Sequence, residues 1–302
     1  MFSRRHPYLF FLLMISTISG VSMVLIFFFI FIGVGGVGIT NLSTIRGEKV
    51  GVVEITGAII DSKETLRQIK QFREDDTIKA IVIRINSPGG GVGPSQEIFR
   101  EIRKTIPLKK IIASMGSVAA SGGYYIAAGT NGIMANPGTI TGSIGVIIGY
   151  TNFETLFQKI GLSPVVIKSG EFKDIASPVR PMTEKEKELL QEFVNKTRYQ
   201  FVRDVSEGRG RPTAEIEPLA DGRIFSGEEA KANGLVDQMG NLEDAIEWAG
   251  RLGGITGRVV PVYAQREQLS LIQYLTDSMV HRLTRQLTNP SMEAAYLYRP
   301  GS

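Results

Sequence analysis

The sequence predicts an α/β fold with a parallel sheet, preceded by one membrane-spanning helix. From residue 49 onward, runs rich in β-branched residues alternate with amphipathic stretches of helical period, which is the pattern of βα units. Residues 8–34 are almost entirely apolar, and no charged residue lies between His6 and Arg46. Apolar residues make up 43% of the 302-residue chain and charged residues 21%, which excludes a largely disordered protein.

The apolar run favours an uncleaved membrane anchor. About 20 apolar residues cross a bilayer as a helix, whereas a cleavable signal peptide has an apolar core of about 7–15 residues. The alternative is an unusually long signal peptide, because small residues follow at 33–38. Arg4 and Arg5 precede the run, and the positive-inside rule then leaves residues 1–7 in the cytoplasm. We therefore expect a single-pass protein of the cell (inner) membrane with its remaining domain outside the cytoplasm.

Local signals define the rest of the chain. Residues 35–48 read as a short tether, residues 49–260 as one domain and residues 261–302 as a partly ordered tail. Two capping boxes, Thr183-x-x-Glu186 and Ser226-x-x-Glu229, each predict the start of a helix, and Gly234 is a C-terminal cap signal for the second. Upstream, the pattern predicts strands at 50–60, 80–85, 110–115 and 132–135, helices at 63–72, 94–106 and 121–128, and a loop at 86–91.

Composition excludes several kinds of chemistry. Cysteine is absent, so disulfides, thiolate zinc sites, iron–sulfur clusters and cysteine nucleophiles are excluded. The two histidines, His6 and His281, lie near the chain ends, which disfavours a Ser-His-Asp triad and a multi-histidine metal site. When Arg4 and Arg5 are left out, the chain has 32 basic and 30 acidic residues, and this near-balance argues against a nucleic-acid binder.

A run of small residues, 115–125, places Ser121 between a strand and an apolar helix. Small residues permit close backbone approach, and a serine at a helix start has its hydroxyl near free N–H groups. That arrangement suits a nucleophile whose neighbouring amides receive an oxyanion. The alternative is that Ser121 is only a helix N-cap.

A serine nucleophile needs a base, and with histidine so scarce a lysine is the candidate. A lysine can serve if burial lowers the pKa of its amine enough for the neutral form to exist. Lys173 has Phe172 and Ile175 beside it, so burial is expected there, whereas Lys168 ends an apolar run and is the competitor. Most lysines are solvated surface residues, which is the alternative for both.

Four segments in order, NSPGGG at 86–91, GSVAASGGYY at 116–125, TGSIGV at 141–146 and SGEFKD at 169–174, resemble the signal peptide peptidase A family. These are membrane-bound serine proteases of the Ser/Lys class. The resemblance covers roughly residues 49–260 and includes one copy of the motifs, as in the short form of the family. It implies the fold of the Clp protease and the crotonases, a spiral core of repeated β-β-α units.

The resemblance also implies roles for individual residues. Ser121 matches the nucleophile and Lys173 the general base, while Ser143 matches a serine that orients the lysine amine. The alternative for Ser143 is a turn serine in a Gly-rich loop. Gly90 and Gly122 match the backbone donors of the oxyanion hole, with Gly89 as the alternative to Gly90.

The implied function is a membrane-anchored serine endopeptidase that degrades cleaved signal peptides without metal or cofactor. Its expected partners are peptide substrates, membrane lipid around the N-terminal helix and further copies of the chain. We hypothesise that Lys173 of one subunit serves Ser121 of the next. Two alternatives stay open: a crotonase-like acyl-CoA enzyme, and a non-enzymatic membrane scaffold with a degenerate site.

Overall fold

The computed structural model describes residues 8, 11, 12, 14–17, 19–25, 47–265 and 295–297. The chain divides into two compact units, residues 1–46 and 47–302. The described residues of the first unit are helical. Among all the described residues, no helix has both the length and the apolar character needed to cross a membrane. The other positions of the predicted span 8–34, and most of the predicted tether, lie outside the described residues.

The second unit contains ten described strands and eight described α-helices. The strands are Glu48–Thr56 (β1), Ile78–Ser87 (β2), Gly89–Gly91 (β3), Lys110–Ala120 (β4), Gly132–Ala135 (β5), Ile140–Gly142 (β6), Ile224–Phe225 (β7), Gln238–Met239 (β8), Val259–Tyr263 (β9) and Ala295–Leu297 (β10). The helices are Lys63–Glu74 (α1), Val92–Thr105 (α2), Gly122–Ala128 (α3), Glu154–Lys159 (α4), Glu184–Arg209 (α5), Thr213–Ile216 (α6), Gly227–Ala232 (α7) and Leu242–Leu252 (α8).

The main sheet is parallel, as the alternation of strands and helices predicts. Its order is β7-β6-β4-β2-β1-β9, with β5 paired to both β4 and β8. Within this sheet only the short β6–β7 pair is antiparallel. A separate antiparallel pair joins β10 to β3. The long strand β4 pairs with β5 through its first half and with β6 through its last three residues, so β4 and β6 end side by side.

Helices cover both faces of this sheet. Side chains alternate between faces along each strand, because successive Cβ atoms of a strand point in opposite directions. Val50 and Val52 of β1 therefore join one apolar cluster with α8, whereas Val53 and Ile55 join a larger cluster with α1, α2, α3 and α5. The fold is thus a three-layer α/β arrangement, and α3 belongs to the larger of the two apolar clusters.

Most predicted elements are confirmed, but several boundaries are wrong. The strand predicted at 50–60 ends at Thr56, where Gly57 follows with a φ of 77°. The strand predicted at 110–115 continues to Ala120, because its last residues pair with β6. The loop predicted at 86–91 contains the end of β2 and all of β3, because Ile59 exchanges backbone hydrogen bonds with Gly89 and Gly91.

Both capping boxes are confirmed. Thr183 and Glu186 form one at the start of α5, and Ser226 and Glu229 form the other at the start of α7. Helix α7 is capped by Asn233, and Gly234 follows with a φ of 72°. These starts are predictable because a capping box is a contact between residues three apart.

Candidate active site

Ser121 occupies a strained turn between β4 and α3. Its φ is 54° and its ψ is −116°, a conformation that residues other than glycine seldom adopt. Its N–H donates to the Gly142 carbonyl at 2.8 Å, and its own carbonyl accepts from Tyr125 N–H at 2.8 Å. Within the described part of the chain, the hydroxyl makes no capping hydrogen bond to α3. Ser121 thus lies on a sharp strand-to-helix turn, the kind of position that the serine of a nucleophile elbow occupies in other hydrolases.

Two glycines allow the backbone of other strands to approach Ser121 closely. A Cβ on Gly122 would lie 2.6 Å from Ser95 Oγ and 3.2 Å from the Gly90 nitrogen. A Cβ on Gly123 would lie 3.0 Å from the Ser87 carbonyl oxygen. The start of α3 is therefore packed against β3 and the end of β2, and the backbone amides of Gly90 and Gly122 lie near each other.

The hydrogen bonds of β3 distinguish Gly90 from Gly89. Gly89 has a φ of 99° and donates its N–H to Ser87 Oγ at 3.1 Å. Gly91 N–H donates to the Ile59 carbonyl at 2.8 Å, and Ile59 N–H donates to the Gly89 carbonyl at 2.9 Å. The backbone N–H and C=O groups of successive residues point to opposite edges of a strand. Gly90 N–H therefore points away from Ile59, toward the other edge of β3.

Ser143 lies beside Ser121. The pair Ala120–Gly142 is the last of the β4–β6 register, so Ser121 and Ser143 are the next residues on two neighbouring parallel strands. Ser143 also has a positive φ, 50°, and its N–H donates to the Arg223 carbonyl at 2.8 Å. It is nearly buried. Four residues are thus close together beside the carboxyl ends of β4 and β6: Ser121, Ser143, Gly90 and Gly122.

Lys173 is not part of this group in the single chain. It lies in a series of turns after residue 169, is exposed, and donates its backbone N–H to the Gly170 carbonyl at 3.2 Å. Among the described residues, no hydrogen bond joins Lys173 to Ser121. The prediction that Phe172 and Ile175 bury Lys173 within its own chain is therefore wrong, since residues 161–173 are exposed throughout.

Lys168, the competing base, has a different environment. Its Nζ lies 2.6 Å from Asp174 Oδ1 and donates to the Glu171 carbonyl at 2.9 Å. The amine of Lys168 thus stabilises the turn that carries Lys173.

Arg180 holds the same turn against helix α5. Its guanidinium bonds both carboxylate oxygens of Asp174 at 2.9 Å, and its Nη1 bonds Glu186 Oε2 at 2.9 Å. Hydrogen bonds from Arg180 and Lys168 hold the pKa of Asp174 well below its ordinary value. Hydrogen bonds from Arg180 and from the Thr183 backbone lower the pKa of Glu186 to about 2. Both carboxylates are therefore ionised at neutral pH, and Arg180 connects the Lys173 turn to the capping box of α5.

The region around Lys173 exposes many apolar side chains. Ile167 is 97% exposed and Val165 85% exposed, and the exposed set extends over α4 and the first half of α5. A cavity of about 400 Å³ opens between this region and α5, lined by Ile148, Ile175, Leu189, Leu190 and Phe193. Contiguous exposed apolar surface marks an interaction site in most soluble domains.

Comparison of the sequence with known proteins identifies the family of this chain. Residues 104–256 match the model of peptidase family S49, and residues 50–141 match that of the Clp protease. The chain is 41% identical over 244 residues to a putative protease of Synechocystis sp., which covers 80% of this chain and 88% of that protein. The chain belongs to peptidase family S49. The resemblance seen in the sequence is thereby confirmed, and so are the mixed α/β fold with its Clp protease-like region and the assignment as a serine protease.

Two further relatives of this S49 peptidase differ in length. A putative signal peptide peptidase SppA of Enterococcus faecium is 40% identical over 214 residues, 66% of this chain and 62% of the relative. Protease 4 of Salmonella typhi is 33% identical over 243 residues, 77% of this chain but only 39% of the relative. The region matching the Clp protease model includes Ser121, Gly90 and Gly122, whereas Lys173 lies only in the region matching family S49.

Proposed function

We propose that this S49 peptidase cleaves peptides with Ser121 as nucleophile and Lys173 as general base. The neutral lysine amine takes the hydroxyl proton while Ser121 Oγ attacks the peptide carbonyl carbon. Gly90 and Gly122 donate their N–H groups to the resulting oxyanion. Removing one such donor lowers the rate of comparable enzymes by a factor of about 10²–10³. The lysine ammonium then protonates the leaving amine, and water hydrolyses the acyl-enzyme. The observation that carries this proposal is the strained turn of Ser121 beside the amides of Gly90 and Gly122.

The proposal includes a dyad shared between two copies of the chain. Ser121 is 1% exposed at the sheet edge, whereas Lys173 lies on an exposed turn surrounded by exposed apolar side chains. Packing that apolar surface against a second copy would remove it from water and bury Lys173 at the same time. Ser143, next to Ser121, then orients the incoming amine. A homo-oligomer is thus the form in which the site is complete.

The proposal also includes membrane anchoring and signal-peptide substrates. The apolar run at 8–34 after Arg4 and Arg5 supports a single-pass anchor in the inner membrane, with the peptidase domain outside the cytoplasm. A relative named as a putative signal peptide peptidase supports remnant signal peptides as substrates. Such peptides are apolar, and anchoring the enzyme raises their effective concentration at the membrane.

Complementation between two inactive chains tests the shared dyad. Ser121→Ala and Lys173→Met chains, each inactive alone, are co-expressed with different tags and purified as mixed oligomers. Recovery of part of the wild-type hydrolysis is expected, since some interfaces pair an intact serine with an intact lysine. No recovery in verified mixed oligomers would reject sharing between subunits.

Fluorophosphonate labelling of the assembled protein tests the nucleophile without requiring peptide turnover. The probe modifies an activated serine, so we expect it to label the wild-type chain and not the Ser121→Ala chain. An acyl-CoA enzyme or a scaffold would leave the wild-type chain unlabelled. Labelling that persists in Ser121→Ala at an unchanged rate would assign the nucleophile to another residue.

A further inference from the structure

A buried serine of α2, Ser95, contacts both β3 and the start of α3. It is fully buried, and its hydroxyl donates to the Gly91 carbonyl at 2.8 Å. The nearest atom that a Cβ on Gly122 would meet is Ser95 Oγ, at 2.6 Å. In glycine a hydrogen takes that place, so Ser95 Oγ packs against the Cα of the residue that follows Ser121. One hydroxyl thus contacts the strand that carries Gly90 and the helix that begins with Gly122.

The hydrogen bond from Ser95 completes the backbone contacts of Gly91. Gly91 N–H donates to the Ile59 carbonyl at 2.8 Å, and the Gly91 carbonyl accepts from Ser95. Gly91 is also the N-cap residue of α2, and it has no side chain that could cap this helix. Ile59 and Ser95 therefore hold the residue next to Gly90 from two different elements of the fold.

We propose that Ser95 is a positioning residue that sets the distance between the two oxyanion donors, the N–H groups of Gly90 and Gly122. The inference rests on the proposed function, because it takes these two amides as the donors. An oxyanion hole stabilises the transition state when its donors already lie at hydrogen-bond distance from the developing charge. Ser95 fixes one donor through its hydrogen bond to Gly91 and the other through its contact with Gly122. Since Ser95 is fully buried, it acts through the amides and not through contact with substrate.

A hydroxyl that bonds the carbonyl four residues earlier also occurs in helices without any role in catalysis. Thr105, at the other end of α2, donates in the same way to the Glu101 carbonyl at 2.8 Å and is equally buried. At 1.5 Å per residue it lies about 15 Å further along the helix than Ser95. Thr105→Val therefore removes a hydroxyl of the same kind away from the site, and it is the matched control.

Single substitutions in the full-length chain give the first test. Ser95→Ala is expected to lower kcat about tenfold, less than the loss of a whole donor, and to leave the KM for an apolar peptide unchanged. A peptide aldehyde forms an adduct with the serine that places an oxyanion between the donors, so we expect it to bind Ser95→Ala about tenfold more weakly. Thr105→Val should match the wild type in both measurements. Unchanged kcat and aldehyde affinity in Ser95→Ala would overturn the inference.

Combination with Gly122→Ala gives a test that a general loss of stability cannot imitate. Gly122→Ala brings a Cβ against Ser95 Oγ, and Ser95→Ala removes that oxygen. We therefore expect Ser95→Ala to lower kcat in the wild-type chain but to raise it at least tenfold in the Gly122→Ala chain, because residues in contact do not act additively. Loss of kcat by the same factor in both chains would show a general effect on folding and overturn the inference.

The Ser121→Ala chain separates this inference from the proposed chemistry. We expect hydrolysis to be lost in Ser121→Ala and reduced in Ser95→Ala. If hydrolysis is lost in Ser121→Ala while Ser95→Ala keeps the kcat of the wild type, the nucleophile is supported and only the positioning role of Ser95 is rejected. Hydrolysis that persists in Ser121→Ala would overturn the proposed nucleophile and this inference together.

Discussion

Arg180 forms a bidentate ion pair with Asp174, the residue that follows Lys173 in the chain. The same guanidinium also bonds Glu186 at the start of α5. The turn is thus tied to the long helix by Arg180, and Lys185 of α5 adds a second ion pair at 3.4 Å to Glu171. Arg180 therefore helps to hold the turn that carries Lys173, and we propose that it is a positioning residue for the base.

Arg180→Met is expected to lower kcat about tenfold or more while changing KM little, because the substrate contacts Ser121 and β3 but the base loses its support. Arg180→Lys should recover part of the loss. Arg198→Met is the matched control, since Arg198 also joins a carboxylate, that of Glu217, to a backbone carbonyl. Steady-state kinetics and thermal unfolding of each variant are the measurements. Equal kcat losses for the Arg180 and Arg198 variants would show a general effect on folding instead.

The two lysines of the turn give a second prediction. Lys173→Met should reduce hydrolysis as severely as Ser121→Ala, because both remove a member of the dyad. Lys168→Met should be mild, since Arg180 continues to hold Asp174 when Lys168 is lost. The measurement is kcat with an apolar peptide. The opposite ranking of the two lysine variants would assign the base to Lys168.

The glycine beside Ser121 gives a third prediction. Gly122→Ala places a Cβ 2.6 Å from Ser95 Oγ and 3.2 Å from the Gly90 nitrogen, which forces the two amide donors apart. We expect kcat to fall by about 10²–10³, the loss typical of one oxyanion donor. Gly138→Ala is the control, because a Cβ there meets nothing within 4 Å. An unchanged kcat in Gly122→Ala, with the fold intact by circular dichroism, would contradict the prediction by showing that the added methyl group leaves both amide donors in place.

Acid stability gives a fourth prediction. The pKa of Glu186 lies near 2 in the folded chain, below its ordinary value of 4.5, so its ionised form stabilises the fold. That stabilisation is present above about pH 4.5 and is lost as the pH falls toward 2. Glu186→Gln should therefore weaken the dependence of the unfolding temperature on pH between 5 and 2. Glu188→Gln, at an exposed position, is the control. Parallel curves for the wild type and Glu186→Gln would contradict the prediction.

Membrane attachment gives a fifth prediction. The full-length protein should stay in the membrane fraction after a carbonate wash if the apolar run at 8–34 is the proposed anchor. A variant with two aspartates within that run should be released. Recovery of the wild type as a soluble protein that begins near residue 36 would identify the run as a cleaved signal peptide.

Features set by neighbouring residues could be predicted from the sequence, whereas those set by distant packing could not. The capping boxes join residues three apart, and the turn at Ser121 is prepared by its own run of small residues. The extension of β4 was missed because residues 116–120 are small and loop-like, and only pairing with β6 makes them a strand. Arg180 was missed because its partners lie six residues away on either side, outside any helical or strand period.

The environment of Lys173 shows the limit of reading burial from neighbours in sequence. Phe172 and Ile175 indicated a buried lysine, but a run of apolar side chains also forms on surfaces that bind another protein. Composition alone does not distinguish a core from an interface, because both remove apolar area from water. In the structure the lysine is exposed, so it is not part of the core of its own chain.

The exposure of Lys173 bears on when the proposed enzyme can cleave nearby proteins. With the proposed shared dyad, a newly made or diluted chain carries a serine without its base, so we expect it to be inactive until it meets another copy. In that proposal assembly completes the active site, and turnover per chain should rise steeply with the density of subunits in the membrane. A protease built in this way limits its own activity to the places where it is concentrated.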